Sequence, residues 1–200
     1  MKSPELKIIG ITTVFKDTVR RAKIAKRLLW LGGFGSVPVV AGCRETLNPS
    51  YLTLTEGNPD YFNQKPATYF DEIDDETIDS HAGAADFISD VLLKSEEKIT
   101  LITIGPLTNI AKLITGHPDA VGKIDRIVMM GGSYNFNYKE HNVKKDPEAA
   151  RIVFDSGIKI LAVGIDAAIK CEFSDDNLQK LTEHFLRSVL KTRSIIKIKQ

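Results

Sequence analysis

The chain is poor in cysteine, in excess charge and in long apolar runs, and each scarcity removes a class of function. Its two cysteines, Cys43 and Cys171, stand far apart and without metal-type spacing, so neither a disulfide framework nor a thiolate metal site is implied. A cytoplasmic setting is the expectation. Lys and Arg number 27 against 26 Asp and Glu, a formal charge of +1, which leaves no broad field to gather nucleic acid or an anionic membrane surface. The expected ligand is therefore a small molecule. No run of about 18 apolar residues is available to span a bilayer, and Met1-Lys2-Ser3-Pro4-Glu5 begins nothing like a secretory signal. Low-complexity tracts and internal repeats are absent as well. Gly32-Gly33-Phe34-Gly35 follows a helical pattern rather than a strand, so it fails the context of a phosphate-binding loop.

Two hundred residues with 42% hydrophobic content can bury one substantial core. The organising stretch is 99–113, reading ITLITIGPLTNIAKL. Ile99, Leu101, Ile102 and Ile104, interleaved with threonines, suit a strand buried on both faces of a parallel sheet. Gly105 permits the turn, Pro106 fits a first helical turn, and Leu107, Ile110, Ala111 and Ile114 recur at helical spacing. Ligands of open α/β sheets sit outside the carboxyl ends of the strands, which puts Thr103, Ile104 and Gly105 at a candidate rim. Alone, such a unit is ordinary architecture and carries no activity.

Further strands are expected over 6–14, 37–41, 125–130 and 158–163. Helices are expected over 18–31, from Ala84 to Leu92, after Asp146-Pro147-Glu148 and over 175–190. Asp146 reads there as the N-cap and Pro147 as the first helical residue. Residues 42–79 form a long aperiodic connection, and the segment from Gly131 to Lys145 reads as a polar loop. Alternating strands and helices predict an α/β fold, a Rossmann-like and mostly parallel sheet with helices on both faces.

Five pieces then fall into order: Ser3-Pro4-Glu5 through Gly10-Ile11-Thr12-Thr13-Val14, Ile104-Gly105-Pro106-Leu107-Thr108-Asn109-Ile110-Ala111, Met130-Gly131-Gly132, Asp146-Pro147-Glu148-Ala149-Ala150, and Val163-Gly164-Ile165-Asp166. In sequence and spacing, over residues 3 to about 173, they resemble the inosine-uridine preferring nucleoside hydrolase family. The resemblance implies hydrolysis of the N-glycosidic bond of ribonucleosides to ribose and free base. It also implies Ca²⁺ as cofactor, holding the ribose hydroxyls and activating a water. Hard oxygen ligands suit such a cation.

By register with that family, the backbone carbonyl of Ile104 corresponds to a main-chain calcium ligand, and Glu140 and Asn142 to a Glu-x-Asn pair on the ribose. Asp17 stands where the family has a ribose-binding Asn, and Phe15-Lys16 replaces small residues. The Asp-rich signature that supplies most calcium carboxylates belongs ahead of Ser3, with a further His-Asp pair beyond the last helix. The expectation is therefore a single incomplete domain over 1–200, its first strand-helix unit missing. Such a chain should be impaired in turnover and carry apolar surface exposed on interior strands. No catalytic residue is assigned.

Plainer readings stand beside these. Glu140 and Asn142 could be ordinary residues of a solvated loop, and His141 a surface histidine. His81, His117 and His184 have no nucleophile or metal partner near in sequence. Asp71, Asp74, Asp75 and Glu76 lack calcium-loop spacing. Asp166, at a strand's carboxyl end, is either a catalytic carboxylate or a cap. The alternative function is a non-catalytic nucleoside- or ribose-binding or assembly protein, and homo-oligomerisation is open under either reading.

Overall fold

The computed structural model describes residues 4–49, 83–171, 175–177, 179, 180 and 183. Along these run β1 (Ile11–Thr12), α1 (Thr18–Leu31), β2 (Val39–Val40), α2 (Ala84–Lys94), β3 (Ile99–Thr103), α3 (Thr108–Gly116) and α4 (Pro118–Val121). They continue with β4 (Ile124–Met130), α5 (His141–Lys145), α6 (Pro147–Phe154), β5 (Ile160–Val163) and α7 (Ile165–Ala168). Every described pairing is parallel. Ile11 faces Val39 in a two-stranded ladder, while β3, β4 and β5 form a second ladder in that order.

Parallel strands joined through helices are the expected α/β class, but the first strand is shorter than 6–14. In that stretch, among the described residues, Ile11 N donates to Pro38 O at 3.0 Å and Thr13 N to Val40 O at 3.1 Å. Without a ladder partner, apolar alternation alone makes no strand.

Helices cover both faces at β2. Val39 packs with Ala22 and Leu29 of α1. Its neighbour Val40 points the other way, into the main core of Phe87, Leu92, Leu107, Leu113 and Ile127. Full burial of a side chain such as Leu92 or Leu113 stabilises by roughly 1.5–3 kcal/mol. At β3 the expectation of two buried faces fails. Ile99 and Leu101 pack onto the main core, whereas Ile102 is 68% exposed and Ile104 82%. Leu161 and Val163 of β5 are exposed as well. Burial on a second face needs a second layer, and no described element covers this one.

The loop expected from Gly131 to Lys145 is also corrected. Its last five residues are helix α5, N-capped by Glu140. Of the connection over 42–79, only 42–49 is described; Asp71, Asp74, Asp75, Glu76, His81 and His184 lie outside the described residues. The described positions among 175–183 are helical.

Candidate functional site

Carboxyl ends of the strands meet along one rim. Continuing the register one step past the Thr103–Met129 pair sets Ile104 beside Met130. The Met130 carbonyl accepts Asn142 Nδ2 at 3.0 Å. Gly132 N donates to Glu140 Oε2 at 3.1 Å, and Gly131 N donates to Val163 O at 3.0 Å. Ile104, Glu140 and Asn142 thus adjoin the same turn of chain. A Cβ on Gly105 would lie 2.9 Å from Val14 Cγ1, so the turn from Phe15 to Asp17 borders this rim too.

Each acidic group here is already engaged. Glu140 is buried and takes three backbone N–H groups, from Asn142 at 2.8 Å, Val143 at 3.0 Å and Gly132. Asp17 is exposed and caps α1, accepting from Arg20 N at 3.1 Å. Asp166 accepts from Tyr134 N at 3.0 Å and from Asn135 Nδ2 at 3.2 Å. These donors hold its carboxyl below the usual range, the Tyr134 amide foremost. Of its two sequence readings, this geometry is that of a loop clamp. By contrast, the side-chain oxygen of buried Asn142 accepts from no donor among the described residues.

Two residues, Asn109 and Asp146, tie the rim together through contacts that sequence spacing does not show. Asn109 donates to Thr13 O at 2.9 Å and accepts from Cys43 N at 3.0 Å, joining both strands of the small ladder to the start of α3. Asp146, fully buried, takes the Thr108 hydroxyl, Leu47 N and Ala149 N. Its cap role was legible; the two long-range donors were not.

A cationic group gathers around Phe15. Phe15 and Lys16 both adopt left-handed backbone, at φ 69° and 60°, which is uncommon outside glycine. Lys16 Nζ lies 5.8 Å and Lys145 Nζ 5.9 Å from the Phe15 ring centre. Arg21 Nη1 donates to Val14 O at 2.7 Å and to Phe15 O at 2.8 Å. Burial, then the charges of Lys144 and Lys16, push the Lys145 ammonium below its ordinary range. His141 is exposed, as the plainer reading had it, and is likewise pushed down, by burial of its ring first and by Lys145 next. Nothing in the spacing signalled this cluster except the bulky Phe-Lys pair at 15–16.

Among the described residues no group of three or more His, Cys, Asp or Glu side chains could hold a metal ion. With Glu140 and Asp166 committed to internal donors and Ile104 offering a main-chain oxygen, this donor set does not fit a hard cation, which takes six to eight oxygens.

A parallel α/β sheet with polar side chains gathered at its carboxyl rim defines the class as a Rossmann-like ligand-binding fold. The chain belongs to the inosine-uridine preferring nucleoside hydrolase family, whose model matches residues 1–198. It is 32% identical over 196 residues to uridine nucleosidase 1 of Arabidopsis thaliana, covering 90% of this chain and 55% of that protein. It is also 32% identical over 185 residues to the pyrimidine-specific ribonucleoside hydrolase RihA of Photobacterium profundum, covering 90% and 58%. Among solved structures, a plant nucleoside hydrolase superposes with a TM-score of 0.66 at 29% identity, over 82% of this chain and 53% of the other. The chain thus spans little more than half the length of these relatives. The family is generally metal-dependent. No helix among the described residues is long and apolar enough to cross a membrane.

Proposed function

We propose that this chain carries the sugar-binding part of a ribonucleoside hydrolase, an N-glycosyl hydrolase that releases ribose and free base with Ca²⁺ as the family's ion. The observation that carries the reading is the pair Glu140 and Asn142: a carboxylate fixed by three amides beside an amide oxygen left open, both against Met130–Gly132. Asn142 is suited to accept from a ribose hydroxyl, with Asp17 at the neighbouring turn and the Ile104 carbonyl across the rim. The ligand is a small ribonucleoside, neither a nucleic acid nor a membrane, in a cytoplasmic protein that could pair with copies of itself.

A second reading rests on the committed carboxylates. With Glu140 and Asp166 spent on internal donors, the described residues bind a sugar without cleaving it, and Ca²⁺ affinity is weak. Titration calorimetry with ribose and inosine, with and without Ca²⁺, paired with an assay for released base, separates the two. Base release supports the enzyme. Binding without release supports the non-catalytic reading. Absence of binding to either ligand, in both conditions, sinks the sugar assignment.

A further inference from the structure

The turn between β4 and Glu140 carries an aromatic side chain at every second position, Tyr134, Phe136 and Tyr138, and all three are exposed. Tyr134 differs from a loose surface ring in how firmly it is seated. Its amide donates to Asp166 Oδ1 at 3.0 Å, and its neighbour Asn135 donates to Asp166 Oδ2 at 3.2 Å. Against the ring lie two glycines from the ends of neighbouring strands. A Cβ on Gly164 would come 2.6 Å from Tyr134 Cδ2, and one on Gly132 would come 3.0 Å from its hydroxyl oxygen. A larger residue at either position would lift the ring. Yet Tyr134 remains 58% exposed, so a ring fixed against backbone keeps much of its surface open.

The same ring stands beside the residues read as holding the sugar. Gly132 N donates to Glu140 Oε2 at 3.1 Å. Burial first, then the charges of Asp166 and Glu140, hold the Tyr134 hydroxyl above its ordinary range. Buried Asn142 is tied to the carbonyl of Met130, two residues before Gly132. A nucleoside has a polar sugar with hydroxyls to satisfy and, one bond away, a flat base with a π-face. Here polar side chains and a clamped flat ring occupy adjoining turns.

We infer that Tyr134 is a specificity-determining residue, the platform on which the base of the ribonucleoside stacks while its ribose is held at Glu140 and Asn142. The inference rests on the sugar-binding reading of those two residues and adds what would distinguish a nucleoside from free ribose. Stacking is indifferent to the donors and acceptors on a base's edge, because every base presents a π-face. Tyr134 by itself therefore selects for the presence of a base, not for one particular base.

The test is titration calorimetry of the 200-residue chain with ribose and with inosine, in the presence and absence of Ca²⁺. Inosine should bind about tenfold more tightly than ribose. Tyr134→Leu should erase that advantage and leave ribose affinity unchanged, while Tyr134→Phe, which keeps the ring, should retain most of it. Gly164→Ala, which lifts the ring without removing it, gives an independent loss of the same selective kind. Thermal melts establish that the variants fold. In NMR spectra the base protons of inosine should move upfield on binding the parent, through the ring current of Tyr134, and not on binding Tyr134→Leu. Equal loss of ribose and inosine in Tyr134→Leu, or no loss of either, overturns the inference and leaves the sugar reading intact. Inosine binding that depends on Tyr134, without any binding of ribose, upholds the platform and sinks the sugar reading. No binding of either ligand overturns both.

Discussion

Asp146 Oδ2 accepts the hydroxyl of Thr108, 38 residues earlier in the chain, at 2.6 Å. The same oxygen takes Leu47 N at 2.9 Å, and Oδ1 caps α6 through Ala149 N at 3.1 Å. One carboxylate therefore fastens the start of α3, the start of α6 and the segment after β2. Replacing it with alanine orphans a buried hydroxyl and two amides, and Asp146→Ala should cost about 3 kcal/mol. Thr108→Val removes one donor and should cost about 1 kcal/mol. Urea unfolding with an unchanged slope checks both; an alanine variant within about 0.5 kcal/mol of the parent would show the lock to be idle.

Asn109 does for the small ladder what Asp146 does for the helices. Its amide joins Thr13 O and Cys43 N, and Gly42 leaves room for it: a Cβ there would come 2.6 Å from Asn109 Nδ2 and closer still to Thr13 O. Gly42→Ala and Asn109→Ala should each destabilise by about 2 kcal/mol. Their effects should be non-additive when combined, because both break one junction. Additive losses in denaturant titration would separate the two positions.

Asp166 sets an acid limit. Its carboxyl is held below the ordinary range chiefly by Tyr134 N, with Asn135 Nδ2 adding to it. The folded state then binds this proton less readily than the unfolded chain. The stabilising contribution is fully present above the ordinary value of about 3.9 and is lost as pH falls below it. Asp166→Asn should flatten this part of the stability-pH curve and release the 133–136 turn, read as changed Tyr134 and Asn135 amide shifts in NMR spectra.

Much of this was readable from residue order. The apolar run at 99–103, the Asp146-Pro147 helix start and the Glu140-x-Asn142 spacing each rest on local chemistry, and each marks where an element or a site residue falls. Burial was harder to read. Ile102 and Ile104 carry the same apolar pattern as Ile99 and Leu101, yet which face is covered depends on the layers beside the strand. Helix α5 leaves no mark in the sequence because HNVKK has no apolar period. What starts it is a single side chain, Glu140, folding back onto the amides of Asn142 and Val143. The Phe15 cluster was invisible for a related reason: Lys16, Arg21 and Lys145 are brought together by tertiary contacts that no spacing encodes.

Exposed apolar residues on the outer face of β3 and β5 predict self-association. Ile102, Ile104, Leu161 and Val163 alternate outward on strands two positions apart in the ladder, a contiguous patch of the kind that drives protein contact. Ile102→Thr with Leu161→Thr should lower aggregation, read by light scattering, while changing unfolding free energy by no more than about 1 kcal/mol. Equal scattering from parent and double variant would place the sticky surface elsewhere.

His141 reports on the cations beside it. Burial and the Lys145 charge hold its imidazole below the ordinary value of about 6.5. Protonation is thus harder in the folded state than in the unfolded one, and stability is lost as pH falls below that value. Lys145→Met removes the charge that most opposes protonation of the ring, so the His141 titration followed by NMR should move up toward the ordinary value. Stability near pH 6 should then rise. Added salt should move the same midpoint upward in the parent by screening, and much less in the variant. A midpoint indifferent to Lys145 would mean that the ammonium is turned away from the imidazole, and the assignment of the downward shift to its charge would fall with it.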